Sequence, residues 1–147
     1  MKRFYILVLI ILTGAGSLCA NLGDNDEKIE NAYGNIVQRR LRDDGSVSVL
    51  YHKGRYLYFV VFVNRRSILE RYSRVDRADL SEKEIARFLK ANAGPKMTWT
   101  PVERKSSQGR TLERSDHRAQ AICAKVDGRL TLTMRSTARG ASVSTGD

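Results

Sequence analysis

Residues 56–63 read Tyr-Leu-Tyr-Phe-Val-Val-Phe-Val, apolar at both parities of a strand. A strand turns successive side chains to opposite faces, so such a run needs cover on both of them. Tyr56–Val63 is therefore expected as a central strand with a layer on each side. Lys53-Gly54 before it and Asn64-Arg65 after it are turn signals, and each adjoins a further candidate strand. Upstream, Val47, Val49 and Tyr51 alternate within Ser46–His52, and Asp43-Asp44-Gly45 closes a weaker strand, Ile36–Arg42. Downstream lies Ser67–Ser73. Together these predict a four-stranded antiparallel meander.

A helix is expected on either side of this meander. Over 24–34, Asp24 and Glu27 stand at capping-box spacing, Ile29, Ala32 and Tyr33 share a face, and Gly34 supplies the stop. The helix over 81–93 is marked more fully. Ser81 is its N-cap, Glu84 completes the capping box, and Leu80 and Ile85 form a hydrophobic staple. Ile85, Ala86, Phe88 and Leu89 make the buried stripe, while Glu82, Lys83, Arg87 and Lys90 face water. Asn92, Gly94 and Pro95 end it.

Strand signals then return. Thr98–Val102 holds the single tryptophan, Trp99, and Pro101 marks it as an edge. Lys105–Gly109 is a polar loop, followed by strands Arg110–Arg114 and Ala119–Val126 and the turn Asp127-Gly128. Leu130, Leu132 and Met134 alternate with Thr131, Thr133 and Arg135 in a half-buried last strand. From Ser136 to Asp147 the chain is small and polar, the composition of a disordered tail. The predicted class is α+β, a short helix plus antiparallel meander occurring twice: helix, meander, helix, meander. Residues 21–80 form the first part and 81–135 the second part of one domain. The two share almost no residue identity, so the repeat is one of pattern.

Residues 1–20 read as a signal peptide. Lys2 and Arg3 precede an apolar run, Phe4–Leu12, and small residues follow from Thr13 to Ser17. That run is well short of the ~20 residues a spanning helix needs. Cleavage after Ser17 or after Ala20 both place small residues at the cut. Cys19 raises a lipid anchor, but Leu18 stands where a lipoprotein signal carries a small residue, so lipidation is disfavoured. The expected location is exported, periplasmic or secreted, with no transmembrane span in the mature chain. Only Cys123 survives either cleavage, and it reads as a small buried strand residue.

The chain carries 26 basic residues against 16 acidic ones, net charge +10. The leader contains two of the bases and no acid, so the surplus belongs to the mature chain. Such a balance favours anionic partners: an acidic protein face, an acidic polymer or lipid headgroups. Nucleic acid is not expected for an exported chain. The bases are scattered along the sequence, which also fits ordinary solvated faces. Tyr56 and Tyr58, flanked by Tyr51, Lys53 and Arg55, are a candidate aromatic-basic partner surface, and Arg65 and Arg66 add to it. Alternate aromatics on a central strand are more often core.

No catalytic, cofactor or metal set emerges. His52 and His117 both sit at turns, and no His-Glu-x-x-His or Cys-x-x-Cys spacing exists. Asp116-His117 has no Gly-x-Ser-x-Gly nucleophile to serve. Glu82 and Glu84 are explained by the helix dipole, and Asp43-Asp44 by turn chemistry.

Ile29-Glu30-Asn31-Ala32-Tyr33-Gly34, then Tyr51-His52-Lys53-Gly54, then Phe59–Arg65 and Ile68 resemble the small domain shared by SmpA/OmlA outer-membrane lipoproteins and beta-lactamase inhibitor proteins. The resemblance covers mainly the first half. It implies an exported, non-enzymatic module that binds another protein over a sheet face, with a tandem form in the inhibitors. The second half resembles exported bacterial proteins, which implies location alone. The functional expectation is a protein-interaction module of the bacterial cell envelope; the alternative is a basic binder of anionic polymer or a membrane surface. Two substitutions test the second helix by chemical denaturation. Ser81→Ala should cost about 1 kcal/mol through loss of the cap. Phe88→Ala should cost about 3–5 kcal/mol by emptying part of the core.

Overall fold

Ten elements follow one another as α1 (Asp26–Tyr33), β1 (Asn35–Leu41), β2 (Val47–Lys53), β3 (Tyr56–Val63), β4 (Arg66–Arg74), α2 (Glu82–Ala93), β5 (Trp99–Val102), β6 (Arg110–Arg114), β7 (Ala119–Val126) and β8 (Arg129–Ser136). They come from a computed structural model that describes residues 21–102 and 109–137. Residues 1–20, expected as a leader and including Cys19, most of the Lys105–Gly109 loop and the expected tail beyond Thr137 lie outside the described residues. All eight strands join one antiparallel sheet in the order β1-β2-β3-β4-β8-β7-β6-β5, and with the two helices the class is α+β. Pro101 lies on the edge strand β5, where its missing N–H costs no ladder bond. Among the described residues no helix is long and apolar enough to cross a membrane.

The hairpin turns have the chemistry their geometry demands. Asn64 and Arg65 adopt φ of 49° and 61°, the left-handed pair that a two-residue connection between twisted strands requires. Gly34 ends α1 at φ 85°, and an added Cβ there would lie 2.9 Å from the His52 carbonyl oxygen. The α1 cap differs from the expectation. Asn25, not Asp24, is the N-cap, and its side chain accepts from the Lys28 N–H at 3.0 Å. Asp24 is one residue too early for that role and binds the Lys28 ammonium instead. On α2 the full capping box is present: the Glu84 N–H donates to Ser81 Oγ, and the Ser81 N–H donates back to Glu84.

One face of the sheet carries both helices. Tyr58, Val60 and Phe62 of β3 form a single buried cluster with Ile29 and Tyr33 of α1 and Ile85 and Phe88 of α2. Aromatic packing dominates it. The Tyr33 ring stacks on Tyr58 at 4.2 Å, and Phe88 stacks on Tyr72 at 4.5 Å. The expectation that β3 is covered on both sides does not hold. On its opposite face Leu57, Phe59 and Val63 are half-buried and only Val61 is buried. The strands after α2 do not stack over that face. They extend the same sheet sideways, because β4 pairs with β8 in the register Leu69↔Arg135 to Tyr72↔Leu132. Long neighbouring side chains supply the partial cover: the Arg71 guanidinium sits 5.8 Å from the Phe59 ring centre and donates to Thr133. Ser136, assigned to the tail by its composition, instead closes β8 through its pairing with Ala119.

Inside the core lies a carboxylate. Glu70 is 1% exposed, and its Oε2 accepts from the Tyr33 hydroxyl at 2.5 Å and the Tyr72 hydroxyl at 2.7 Å. Its Oε1 accepts from Ser67 at 3.0 Å, and Asn92 Nδ2 donates to the Tyr72 oxygen at 2.8 Å. Burial raises the Glu70 pKa, against the pull of its three hydroxyl donors. The Tyr33 and Tyr72 hydroxyls are driven well above their ordinary range, first by burial and then by the Glu70 charge. A raised folded-state pKa means that Glu70 supports the fold most fully below its unfolded value of about 4.3. That support is lost as pH rises through the folded value, since the fold must then bury a charge. Urea midpoints measured against pH should therefore lose part of their decline toward higher pH in Glu70→Gln, which keeps the shape and cannot ionise.

Candidate functional site

The turn Gly54-Arg55 brings β3 out beside the first half of α2. There Arg55, Tyr56, Arg74, Ser81, Lys83, Glu84, Ala86, Arg87 and Lys90 line an open cleft of about 740 Å³. Tyr56 and Arg74 are register partners on neighbouring strands, so both strands deliver a side chain to the same place. Lys83, Arg87 and Lys90 are spaced four and three apart, which puts them in one row along the helix. Glu82 points elsewhere and pairs with Arg110 at 2.9 Å. The lining thus contains five cations and a single carboxylate.

That carboxylate is fully engaged. Glu84 Oε1 accepts from the Tyr56 hydroxyl at 2.7 Å and from Arg74 at 3.3 Å, and Oε2 accepts from the Ser81 N–H at 2.8 Å. The Ser81 N–H, followed by the Tyr56 hydroxyl, holds its pKa down at about 2. Arg74 is also clamped by Asp76 at 2.5 Å, which raises the Arg74 pKa and lowers that of Asp76. Burial and the bond to Glu84 raise the Tyr56 pKa. No proton is therefore poised for transfer on Glu84 or Tyr56 near neutral pH. The remaining cations are differently placed. Arg55, Lys83 and Lys90 are exposed and form no ion pair among the described residues, and the Arg87 guanidinium lies 5.1 Å from the ring centres of both Tyr56 and Phe88. The cleft offers four uncompensated positive charges around one aromatic edge, an arrangement suited to holding an anionic surface.

Of the residues singled out in the sequence, Arg55 and Tyr56 meet here. Tyr58 is buried in the core. Arg65 and Arg66 stand at the other end of the β3–β4 hairpin, where Arg65 pairs with Asp26 at 3.2 Å and Arg66 donates to the Gly23 carbonyl at 3.3 Å. Arg74, Lys83, Arg87 and Lys90 were not legible as a site, although the basic 83, 87, 90 spacing was present as a water-facing row. The histidines lie apart from the cleft. His52 Nε2 contacts the Gly54 carbonyl oxygen, and His117 Nδ1 is 3.0 Å from Glu113. Asp116 serves Arg114 through two 2.9 Å bonds and not its neighbour His117. Cys123 is a buried free thiol whose pKa is raised by burial. Among the described residues no cluster of His, Cys, Asp and Glu could hold a metal ion. No family model, curated protein or solved structure matches this chain.

The lowered pKa of Glu84 has a stability consequence with a definite sign. Its contribution is present above the unfolded value of about 4.3 and is lost as pH falls. The folded value of about 2 sets the lower end of that window. In acid denaturation followed by circular dichroism, Glu84→Gln should flatten the stability loss between these two values.

Proposed function

We propose that this chain is an exported, non-enzymatic interaction module of the bacterial cell envelope that receives an acidic surface of another protein in the basic cleft. The observation carrying the reading is the set of cations with no carboxylate counter-charge among the described residues, Arg55, Lys83, Arg87 and Lys90, gathered around Tyr56 from two separate parts of the chain. Arg55, Lys83 and Lys90 are exposed charges with no ion-pair partner among the described residues and so add little to holding the fold. Arg87 is held over the Tyr56 and Phe88 rings with its charge still open to a partner. A complementary surface would be steered and oriented by all four. The cleft is broad and open, and its charges are spread along it, which fits a protein face better than a small anion. Export rests on the leader at residues 1–20, and the envelope on the resemblance to the SmpA/OmlA and inhibitor-protein module. The sheet order supports reading the chain as two helix-meander halves joined at β4 and β8, the tandem form of that module.

A second reading, a binder of anionic polymer or membrane surface, is favoured by the row Lys83, Arg87, Lys90 facing Arg55 across the cleft. An extended polyanion could follow that row. Lys83→Glu combined with Lys90→Glu tests both readings, because these exposed positions should alter stability by no more than about 0.5 kcal/mol. Envelope proteins captured by the wild-type chain and lost with the doubly reversed variant support the first reading. Polyglutamate or anionic vesicles that bind at low salt and weaken by about tenfold or more on charge reversal support the second. Equal binding by both chains in every assay would remove the cleft from the function.

A further inference from the structure

The first described residues are bound into the fold more tightly than a passing linker requires. The Leu22 N–H donates to Asn92 Oδ1 at 3.3 Å, and the Gly23 N–H lies within 2.9 Å of the Ser67 carbonyl and 2.8 Å of its hydroxyl. The Ser67 N–H returns a bond to the Asp24 carbonyl at 2.9 Å. Ser67 and Asn92 are the same side chains that reach Glu70 and Tyr72, so residues 22–24 seal the buried polar network from outside. The same residues lie in a tight turn. The Asp24 N–H donates to the Asn21 carbonyl at 2.9 Å across Gly23 at φ 98°, a turn that glycine alone enters without strain.

Asn21 occupies an unusual position at the head of this turn. Its backbone nitrogen lies 2.7 Å from Asp24 Oδ2, while the other carboxylate oxygen, Oδ1, takes the Lys28 ammonium at 2.9 Å. Its side-chain Oδ1 is buried and has no hydrogen-bond donor, the one such side-chain atom among the described residues. A peptide N–H brings one proton to this place and no charge. An α-ammonium brings three protons and a positive charge.

We propose that the leader is cut between Ala20 and Asn21, and that the α-ammonium so created completes the fold by pairing with Asp24. Water adds across the Ala20–Asn21 amide under an envelope peptidase. The C–N bond breaks, the water oxygen remains on Ala20 as its carboxylate, and the Asn21 nitrogen takes both water protons to become the ammonium. One of its protons keeps the bond to Asp24, now between opposite charges and therefore stronger. The others supply donors beside the orphaned Asn21 Oδ1, whose lack of a partner otherwise costs free energy. The new charge also offsets that of Asp24, which adds a little to the raised pKa of Glu70. Cleavage after Ser17 would leave three residues overhanging and a neutral amide at Asn21. A cut beyond Asn21 would remove the turn that seals the network.

The inference rests on the export reading, and one measurement separates the two. The full chain is expressed with its own leader in a bacterial host, and the intact mass of the envelope-fraction protein is read. A mass beginning at Asn21 is the expected result. A chain beginning at Leu18, or at a lipidated Cys19, upholds export and overturns the cut proposed here; a chain still beginning at Met1 overturns both. The ammonium's role is tested on the processed chain and on one carrying a single extra alanine before Asn21, each with and without Asp24→Asn. The extra alanine should lower Tm by about 2–4 °C, and Asp24→Asn should cost more Tm in the chain beginning at Asn21 than in the extended one. Equal losses in both would show that Asp24 acts through the turn alone and would overturn the pairing.

Discussion

Glu70 is buried with three hydroxyl donors and, among the described residues, no cation in contact with it. A carboxyl group in that position is costly unless its bonds are made, so the elements that supply them must arrive together. Tyr33 comes from α1, Ser67 and Tyr72 from β4, and Asn92 reaches Tyr72 from the last turn of α2. Residues 22 and 23 cover the network from the amino-terminal side. Apolar contacts between helix and sheet tolerate sliding, because one methyl group replaces another. A bond between Asn92 and the Tyr72 oxygen does not, and it sets where α2 lies along the sheet.

The position of α2 in turn determines what the surface can do. With the helix anchored by Asn92 and by Phe88 stacked on Tyr72, its amino-terminal half meets the end of β3 at Tyr56. There the second important carboxylate, Glu84, receives treatment opposite to Glu70. Hydrogen bonds from Ser81 and Tyr56 lower its pKa, whereas burial raises that of Glu70. Glu84 caps the helix, holds Tyr56 and neutralises Arg74, but among the described residues Arg55, Lys83, Arg87 and Lys90 are left without a counter-charge. The helix is thus fastened by a carboxylate whose own charge is fully used, and the cleft beside it keeps its positive field.

Local chemistry carried much of the fold into the sequence. The limits of β3, β6 and β7 coincide with those read from alternation and turn residues, and the capping box at Ser81 and Glu84 stands as the spacing predicted. These features involve residues within a few positions of one another, where backbone sterics and hydrogen bonding leave little choice. The α1 cap was displaced by one residue because Asp24 and Asn25 are both competent caps, and the turn at Asn21–Asp24 claims the first. Glu70 left no signal. Nothing in Ser67–Ser73 marks it as the centre of a buried network: Ser67 and Tyr72 lie on its own strand, but the Tyr33 donor comes from α1, 37 residues away. The basic row on α2 was visible, but its meaning depended on Arg55 and Tyr56 arriving from β3.

The sequence by itself therefore determined the two helices, the strands and most of their turns, and the excess of positive charge, all set by local preference or by composition. Only the tertiary structure decided how the strands after α2 are used. An apolar run at both parities asks for cover, but a layer stacked above and long side chains reaching across the sheet both supply some. The choice lies in β4 pairing with β8, whose partners are 66 positions apart at Leu69 and Arg135. Backbone edges carry no side-chain code for which distant edge they will meet, so that pairing follows from the whole core closing around Glu70.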